Sequence, residues 1–268
     1  MESNLNRKDT SLVVVGSGIK FVSHITTETR IYIEHADKVL YLVNNPAMKE
    51  WIQKQNPHAE SLDFLYTKYP LRLHCYRAIT NFILETLRRN IHLCVVLYGH
   101  PAIFAQPALE AVIQAKKEGY YAKILPSISA EDCLFADLCI DPASHGCQSF
   151  EATDLLVRQR RIDPSSHLIL WQVGSIGVLG HVRSHDNSKG AKLLLNHLIQ
   201  YYHVDHQVIL YEAAQYPHLE PRIDTLRLTE LPEAPFSRIS TLYVPPLCKV
   251  PCDEAMLITL GIKSTELQ

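Results

Sequence analysis

The chain has 268 residues and a formal net charge of −2 at pH 7, and apolar residues make up 47% of it. This composition is that of a globular protein with a sizeable core, so it excludes wholesale disorder. The nearly balanced charge gives no electrostatic footprint for nucleic acid or for an anionic membrane surface, and we expect neither as a partner.

The apolar runs at 12–16, 93–99 and 168–174 are far shorter than the ~20 residues of a membrane-spanning helix, so we expect no membrane span. The first ten residues are polar and show no secretory signal. Seven cysteines occur without a CxxC pair, and Cys75, Cys94 and Cys133 lie in apolar stretches. We interpret these three as buried free thiols in a reducing cytoplasm.

In the first half of the chain, short apolar runs alternate with segments of helical period. The predicted strands are 11–18, 38–43, 92–97 and 121–126. The predicted helices are 26–36 with a Thr cap, 45–55 with Pro46 in its first turn, 71–90, 107–118 stopped by Gly119, and 129–138.

The second half has fewer helices between its strands, which indicates a mixed sheet. We predict a junction over 139–156, strands at 168–173, 207–214, 221–231 and 240–247, and a helix at 189–202. The expected fold is therefore α/β in two lobes, residues 1–145 and 146–268, with a mostly parallel sheet followed by a mixed one. We expect the ligand in the cleft between the lobes.

The turn Val15–Gly18 follows the first strand, as a phosphate-binding turn does. A dinucleotide fingerprint also needs a third glycine and an acid after the second strand, but position 21 is Phe and the second strand ends in Asn44 and Asn45. We therefore favour a tight turn whose glycines let another group approach the backbone.

The segment 98–101, Tyr-Gly-His-Pro, lies at the carboxyl end of a strictly apolar strand, where ligands bind in open α/β sheets. Its alternative interpretation is a plain turn after a core strand, and the segment alone leaves both open.

Tyr66, Arg72 and Tyr76 form a second candidate group. Arg72 and Tyr76 are four residues apart, so a helix places them on one face, and Tyr66 precedes them in what we predict as a loop, 64–70. A guanidinium between phenols is expected to lower a tyrosine pKa and to stabilise a developing oxyanion. The alternative is a solvated arginine beside core-facing aromatics.

No metal site is expected. His203 and His206 form an HxxH pair, but no third ligand of fitting spacing accompanies them. The GxSxG nucleophile elbow and the GxxxxGK[ST] phosphate loop are both absent from the sequence.

A set of motifs occurs in a characteristic order along the chain: 31–37 IYIEHAD, 98–104 YGHPAIF, 126–138 PSISAEDCLFADL, 149–152 SFEA, 171–174 WQVG, 210–214 LYEAA and 240–246 STLYVPP. Together they resemble the tetrapyrrole-methylase superfamily of S-adenosylmethionine-dependent methyltransferases. Within it they are most similar to the borosin peptide backbone α-N-methyltransferases, particularly the split bacterial type. Tetrapyrrole methylases usually carry GPGD after the first strand and GDP later, whereas this chain has GSGI and Gly99-His100-Pro101. Both departures weaken a porphyrin or corrin substrate.

The resemblance implies S-adenosylmethionine as methyl donor, S-adenosylhomocysteine as product, and a separately encoded precursor peptide as substrate. It also implies a homodimer, and a heterotetramer with two precursors. By position it assigns Tyr66, Arg72, Tyr76 and Tyr98 to catalysis. It assigns donor contacts to Tyr98, His100, Ile103, Ser129, Ala130, Gln172, Tyr211, Ala213, Ser240 and Thr241.

The mechanism that this implies is withdrawal of the amide proton by a tyrosine of lowered pKa, directly or through water, while Arg72 and a hydroxyl stabilise an imidate-like oxygen. Spacing does not decide between Tyr66 and Tyr76 as the base. Three alternatives stay open at this stage: a methyltransferase acting on a tetrapyrrole or another small molecule, a non-catalytic ligand- or peptide-binding module, and an NAD oxidoreductase, which the missing acid disfavours.

Overall fold

The computed structural model describes residues 10–89, 91–180 and 186–263. Residues 1–9, whose sequence shows no secretory signal, and the outer ends of both predicted lobes lie outside the described residues. No helix in the described ranges combines the length and apolar character needed to cross a bilayer. The seven cysteines are free thiols, and Cys75, Cys94 and Cys133 are buried as predicted.

The strands are β1 (Ser11–Gly16), β2 (Lys38–Leu42), β3 (Ala59–Ser61), β4 (His92–Leu97), β5 (Tyr121–Ile124), β6 (Cys147–Glu151), β7 (His167–Trp171), β8 (Gln207–Glu212), β9 (Arg222–Arg227) and β10 (Thr241–Val244). The helices are α1 (Thr27–His35), α2 (Pro46–Gln55), α3 (Asp63–Lys68), α4 (Arg72–Leu87), α5 (Gln106–Lys117), α6 (Ala130–Asp137), α7 (Ala152–Val157), α8 (Ser188–Leu198) and α9 (Glu254–Leu260). Two 3-10 helices span Val173–Ser175 and Leu228–Glu233.

The first sheet has the strand order β3-β2-β4-β1-β5, and its pairings are parallel. Along β1, Leu12 and Val14 pack into one apolar cluster, whereas Val13 and Val15 pack into another. Both faces of the strand are therefore buried. This is why the first half of the sequence shows continuous apolar runs rather than alternation.

Sequence-local caps define the helices that flank this sheet. The Thr26 hydroxyl accepts the Thr29 N–H at 3.0 Å and begins α1, as predicted. The Asn45 side chain accepts the Ala47 and Met48 N–H groups, and Pro46 occupies the first position of α2, where its missing N–H costs no hydrogen bond.

The second sheet has the order β6-β7-β10-β8-β9. Strands β6 and β7 are parallel, whereas β10 is antiparallel to both β7 and β8. The predicted mixed sheet is confirmed. Its own core includes Leu168 and Leu170 of β7 and Leu242 and Val244 of β10.

The chain divides into two compact units whose boundaries differ from the expected lobes. The first unit comprises 1–140, 178–185 and 212–222, and the second comprises 141–177, 186–211 and 223–268. The two later segments belong to the first unit because their backbone carbonyls accept hydrogen bonds from its turns: Leu179 from the Arg72 N–H, and Gln215 from the Phe21 N–H.

Several elements differ from the sequence prediction. The expected loop at 64–70 contains most of α3, so Tyr66 lies on a helix. The expected junction at 139–156 contains β6 and most of α7. The expected strand at 221–231 continues past Arg227 as a 3-10 helix, and α9 was not expected. The helix predicted to Asn90 ends at Leu87, and Asn90 itself is outside the described ranges.

Candidate functional site

Three loops meet at the carboxyl edge of the first sheet. They follow β1, β4 and β5, which are neighbours in the sheet. Gly18 and Gly99 exchange backbone hydrogen bonds, with N···O distances of 3.3 and 3.1 Å, and the Ser127 hydroxyl donates to the Gly16 carbonyl at 3.3 Å. The two motifs noted in the sequence, 15–18 and 98–101, are therefore one paired structure.

The glycine at position 16 is required by this pairing. A Cβ there would overlap the Gly99 carbonyl oxygen and would lie 2.6 Å from Ser127 Cβ and 2.9 Å from Pro101 Cδ. The group that approaches the first glycine turn is thus the protein's own loop after β4. Gly99 has φ +70°, the left-handed region that favours glycine.

The residues after the first turn are held by a histidine. The N–H groups of Ile19 and Lys20 both point at His24 Nδ1, at 3.3 and 3.2 Å, so this nitrogen accepts and is unprotonated. Burial lowers the pKa of His24, and the Lys20 charge lowers it further, against weaker opposing effects of Asp132 and Asp137. The same turn contains Val22 at φ +59°, a conformation that a β-branched residue adopts only under strong local constraint.

The structure brings Tyr66, Arg72 and Tyr76 together on α3 and α4. Both phenols pack against one apolar cluster of the first unit. Their ionisable groups interact: Tyr76 and Arg72 both influence the pKa of Tyr66, and Arg72 influences that of Tyr76. The interaction between Arg72 and Tyr76 agrees with the expectation that they share one face of the helix.

Arg72 is anchored by the segment Val178–Gly180. Helix α4 has no side-chain N-cap; instead the Arg72 N–H donates to the Leu179 carbonyl at 3.0 Å, and Leu71 pairs with Gly180 as an antiparallel bridge. The Arg72 guanidinium Nη2 donates to the Val178 carbonyl at 3.2 Å. One short segment therefore positions both the backbone and the side chain of this arginine.

The expected lowering of a tyrosine pKa is wrong. Burial raises the pKa of Tyr66 well above its usual range, and Tyr76, Cys75 and Asp63 add to the effect. Burial likewise raises the pKa of Tyr76, and the Arg72 charge only partly opposes it. The desolvation of each phenol outweighs the guanidinium, so both hydroxyls stay protonated near neutral pH and each keeps a proton to donate.

Tyr98 has a different environment from this pair. Its backbone N–H donates to the Leu42 carbonyl at 3.0 Å, which fixes it where β4 ends. Burial raises the pKa of its hydroxyl to about 12, and nearby Cys133 contributes.

The other expected contacts of the methyl donor in the first unit lie in the loops after β4 and β5. His100 Nδ1 accepts the Ala102 N–H at 3.0 Å, so Nε2 is the ring nitrogen left to face a ligand. The Ser129 hydroxyl is already engaged in a capping box with Asp132, donating at 2.6 Å and accepting at 3.2 Å. Ile103 is partly exposed, and Ala130 is the first residue of α6.

The remaining expected donor contacts lie later in the chain. Ala213 belongs to a later segment of the first unit. In the second unit, Gln172 follows β7 in the left-handed conformation (φ +58°), and Tyr211 in β8 pairs with Thr241 in β10. Ser240 directly precedes β10, and its hydroxyl accepts the Ser237 N–H at 2.8 Å. The structure therefore places Tyr211, Ser240 and Thr241 close together, while their contact with a donor stays a prediction.

A cleft of about 260 Å³ occurs at the amino ends of β1 and β4, where no sequence motif predicts a site. It is lined by Ser11, Val13, Ile31, Tyr32, His35, Ala36, His92, Leu93 and Cys94. None of the expected site residues lines it.

The histidine pair 203 and 206 shows no ligand geometry. His206 stacks on Tyr202 and its Nε2 lies 3.0 Å from the Pro245 carbonyl, while the His203 ring is exposed. Across the described residues, no three His, Cys, Asp or Glu side chains are arranged to hold a metal ion.

Comparison with known proteins identifies the family. Residues 11–229 match the family model described as tetrapyrrole (corrin/porphyrin) methylases. The chain is 40% identical over 251 residues to the methyltransferase/ribosomally synthesized cyclic peptide dendrothelin A precursor of Dendrothele bispora, covering 92% of this chain and 60% of that protein. It is 39% identical over 255 residues to a methyltransferase/type III borosin cyclic peptide precursor of Anomoporia bombycina, covering 94% of this chain and 30% of that protein.

Among solved structures, uroporphyrin-III-C-methyltransferase from Thermus thermophilus superposes with a TM-score of 0.64 at 16% identity, covering 92% of this chain and 99% of that one. This likeness confirms the α/β fold. The chain spans about 60% of the length of the dendrothelin A relative. Because the family model covers most of the chain, the chain belongs to the tetrapyrrole (corrin/porphyrin) methylase family.

Proposed function

We propose that this protein transfers methyl groups from S-adenosylmethionine to backbone amide nitrogens of a ribosomally made precursor peptide. Family membership supports methyl transfer, and relatives at about 40% identity bear names that join a methyltransferase to a ribosomal cyclic peptide precursor. The structural observation that carries the proposal is the anchored Arg72 guanidinium, which interacts with the protonated phenols of Tyr66 and Tyr76, because this arrangement suits a developing amide oxyanion.

The residues at the carboxyl edge of the first sheet fit the donor. The loops there offer His100 Nε2 and the partly buried Tyr98. When bound, S-adenosylmethionine supplies an electrophilic methyl group on a positively charged sulfur. Tyr98, His100, Ile103, Ser129, Ala130 and Ala213 of the first unit would hold it. The resemblance to the borosin enzymes is the support for proposing Gln172, Tyr211, Ser240 and Thr241 as further contacts of the methyl donor. Since Asp132 engages both the hydroxyl and the N–H of Ser129, this residue would contact the methyl donor through its carbonyl oxygen.

Arg72 and the two phenols would activate the acceptor. An amide nitrogen is a poor nucleophile because its lone pair is delocalised into the carbonyl. As the N–H proton leaves, negative charge develops on the carbonyl oxygen. The Arg72 guanidinium and the hydroxyls of Tyr66 and Tyr76 would donate hydrogen bonds to that oxygen, and removing one such donor costs ~10²–10³ in rate.

The raised pKa values of Tyr66 and Tyr76 argue against a phenolate as the resting base. We propose that the amide proton leaves to a water molecule while the phenols stay protonated. The amide nitrogen would gain the methyl group, the donor sulfur would keep the electron pair of the S–CH₃ bond, and the proton would pass to solvent. This revises the expected role of the tyrosines: they donate hydrogen bonds to the developing oxyanion and do not accept the amide proton.

The test uses a candidate precursor peptide, the methyl donor and intact-mass measurement. Turnover should add the mass of one methylene per transfer. Arg72→Ala and Tyr76→Phe should lower the rate ~10²–10³-fold while still binding S-adenosylhomocysteine. Arg77→Ala is the matched control, because Arg77 lies one residue beyond Tyr76 on the same helix and is exposed.

Three outcomes would contradict the proposal. If Arg72→Ala and Tyr76→Phe methylate at the wild-type rate, the assignment of these residues is wrong. If a labelled donor modifies a porphyrinoid and no peptide, the acceptor class is wrong and the small-molecule alternative holds. Donor binding without any turnover would favour the non-catalytic binding module.

We also propose a separately supplied precursor and a homodimer, both on the strength of the likeness to split borosin enzymes. A peptide added in trans should be methylated. Light scattering should give twice the chain mass, rising with bound precursor if a heterotetramer forms, and a monomer at micromolar concentration would exclude the dimer.

A further inference from the structure

The segment Glu212–Arg222 forms a loop that is fastened at its base and at its tip. At the base, Arg222 Nη1 lies 3.0 Å from Glu212 Oε1, and both side chains are largely buried. At the tip, the Gln215 carbonyl accepts the Phe21 N–H at 2.8 Å. This loop is part of the first unit and contains Ala213.

Tyr216 adds a side-chain fastening to the same tip. Its hydroxyl donates to Asn45 Oδ1 at 3.2 Å, and its ring lies 6.1 Å from that of Phe21. Asn45 is buried, and the same Oδ1 also accepts the Ala47 N–H that caps α2. The Asn45 side chain thus connects the helix that follows β2 with the loop that carries Ala213.

Asn45 also lies next to the first glycine turn, residues 15–18. Together with Gly18, Phe21 and Tyr98 it lines a cavity of about 10 Å³, roughly the volume that one water molecule needs. Moving the Asn45 side chain therefore changes the wall of this cavity, which Tyr98 and the first glycine turn also form. The strained Val22 follows Phe21 directly, so the turn depends on its surrounding hydrogen bonds to keep its shape.

From these contacts we infer that Tyr216 is a positioning residue for methyl-donor binding, acting through Asn45 and Phe21 to hold Ala213 and the Tyr98 wall in place. This inference rests on the proposed function, since it takes Ala213 and Tyr98 as donor contacts. Tyr216 itself touches no reacting group.

The test compares Tyr216→Phe with Tyr121→Phe, which removes a hydroxyl from an exposed tyrosine of the same unit. S-adenosylhomocysteine binding is measured by calorimetry. Loss of one hydrogen bond should weaken binding about three- to tenfold in Tyr216→Phe and leave it unchanged in Tyr121→Phe. The donor KM should rise by the same factor while kcat at saturating donor stays constant, a split that a general loss of stability would not produce.

Hydrogen exchange supplies an independent measure. The Phe21 amide should exchange faster in Tyr216→Phe, because its acceptor is the Gln215 carbonyl of the loosened tip. Wild-type binding with no difference between the variants overturns this inference and leaves the proposed function intact. Failure of the wild-type protein to bind S-adenosylhomocysteine overturns both.

Discussion

Gly16→Ala tests whether the paired glycine turns hold the candidate site together. The new methyl group would overlap the Gly99 carbonyl oxygen and crowd Ser127 and Pro101. Overpacking of this kind costs ~1–3 kcal/mol. The loops must also separate, which weakens the two Gly18–Gly99 backbone hydrogen bonds at about 1 kcal/mol each. We therefore expect the free energy of unfolding to fall by about 3–5 kcal/mol, and the melting temperature by at least about 6 °C.

The matched control is Gly119→Ala. Gly119 ends α5 with φ +85°, and an added Cβ would meet no atom within 4 Å. That substitution costs only the left-handed conformation, about 1–2 kcal/mol. Urea and thermal unfolding of both variants give the comparison. The reasoning is refuted if Gly16→Ala is as stable as Gly119→Ala or more stable. In that case the close approach of the loop after β4 does not exclude a side chain at position 16.

Three further predictions concern single side chains. The pKa of His24 is lowered in the folded protein, so as pH falls below about 6.5 the unfolded chain takes up a proton first and the folded state loses stability. His24→Asn keeps an acceptor atom but does not titrate. Between pH 7.5 and 5.5, its free energy of unfolding measured in urea titrations should therefore fall less than that of the wild type. The buried Asn56 amide donates to two backbone carbonyls at 2.9 and 2.8 Å, so Asn56→Ala should cost about 2–4 kcal/mol in urea unfolding, against about zero for the exposed Asn196→Ala. Ser129→Ala should lower the melting point through loss of the α6 cap, about 1 kcal/mol, while S-adenosylhomocysteine binding measured by calorimetry stays at the wild-type value.

The elements with strong local signals could be predicted from the sequence. Strands β1 and β4 are continuous apolar runs because both faces of the parallel sheet are buried, and α1 and α2 have their caps within the sequence. Helix α3 was missed because it is six residues long and has no side-chain cap. Strand β6 was missed because its side chains are partly exposed and mostly polar.

The candidate site was predictable in position more than in chemistry. Helical spacing indicated that Arg72 and Tyr76 act together, but it said nothing about burial, and burial determines the direction in which the tyrosine pKa values move. The contributions of Val178, Leu179 and Tyr216 had no signal in the sequence. They come from backbone carbonyls and a hydroxyl more than a hundred positions away from their partners, where no local pattern operates.

The split composition of the first unit has a consequence for how the protein is made. The five strands of its sheet have been synthesised once Ile124 is complete, yet the carbonyls that hold Arg72 and Phe21 belong to Val178–Leu179 and Gln215. At about 5–20 residues per second, a ribosome adds these segments several seconds later. During that interval the nascent sheet can form, but the hydrogen bonds that hold Arg72 and Phe21 wait for the later chain, so the edge of the sheet is completed well after its strands.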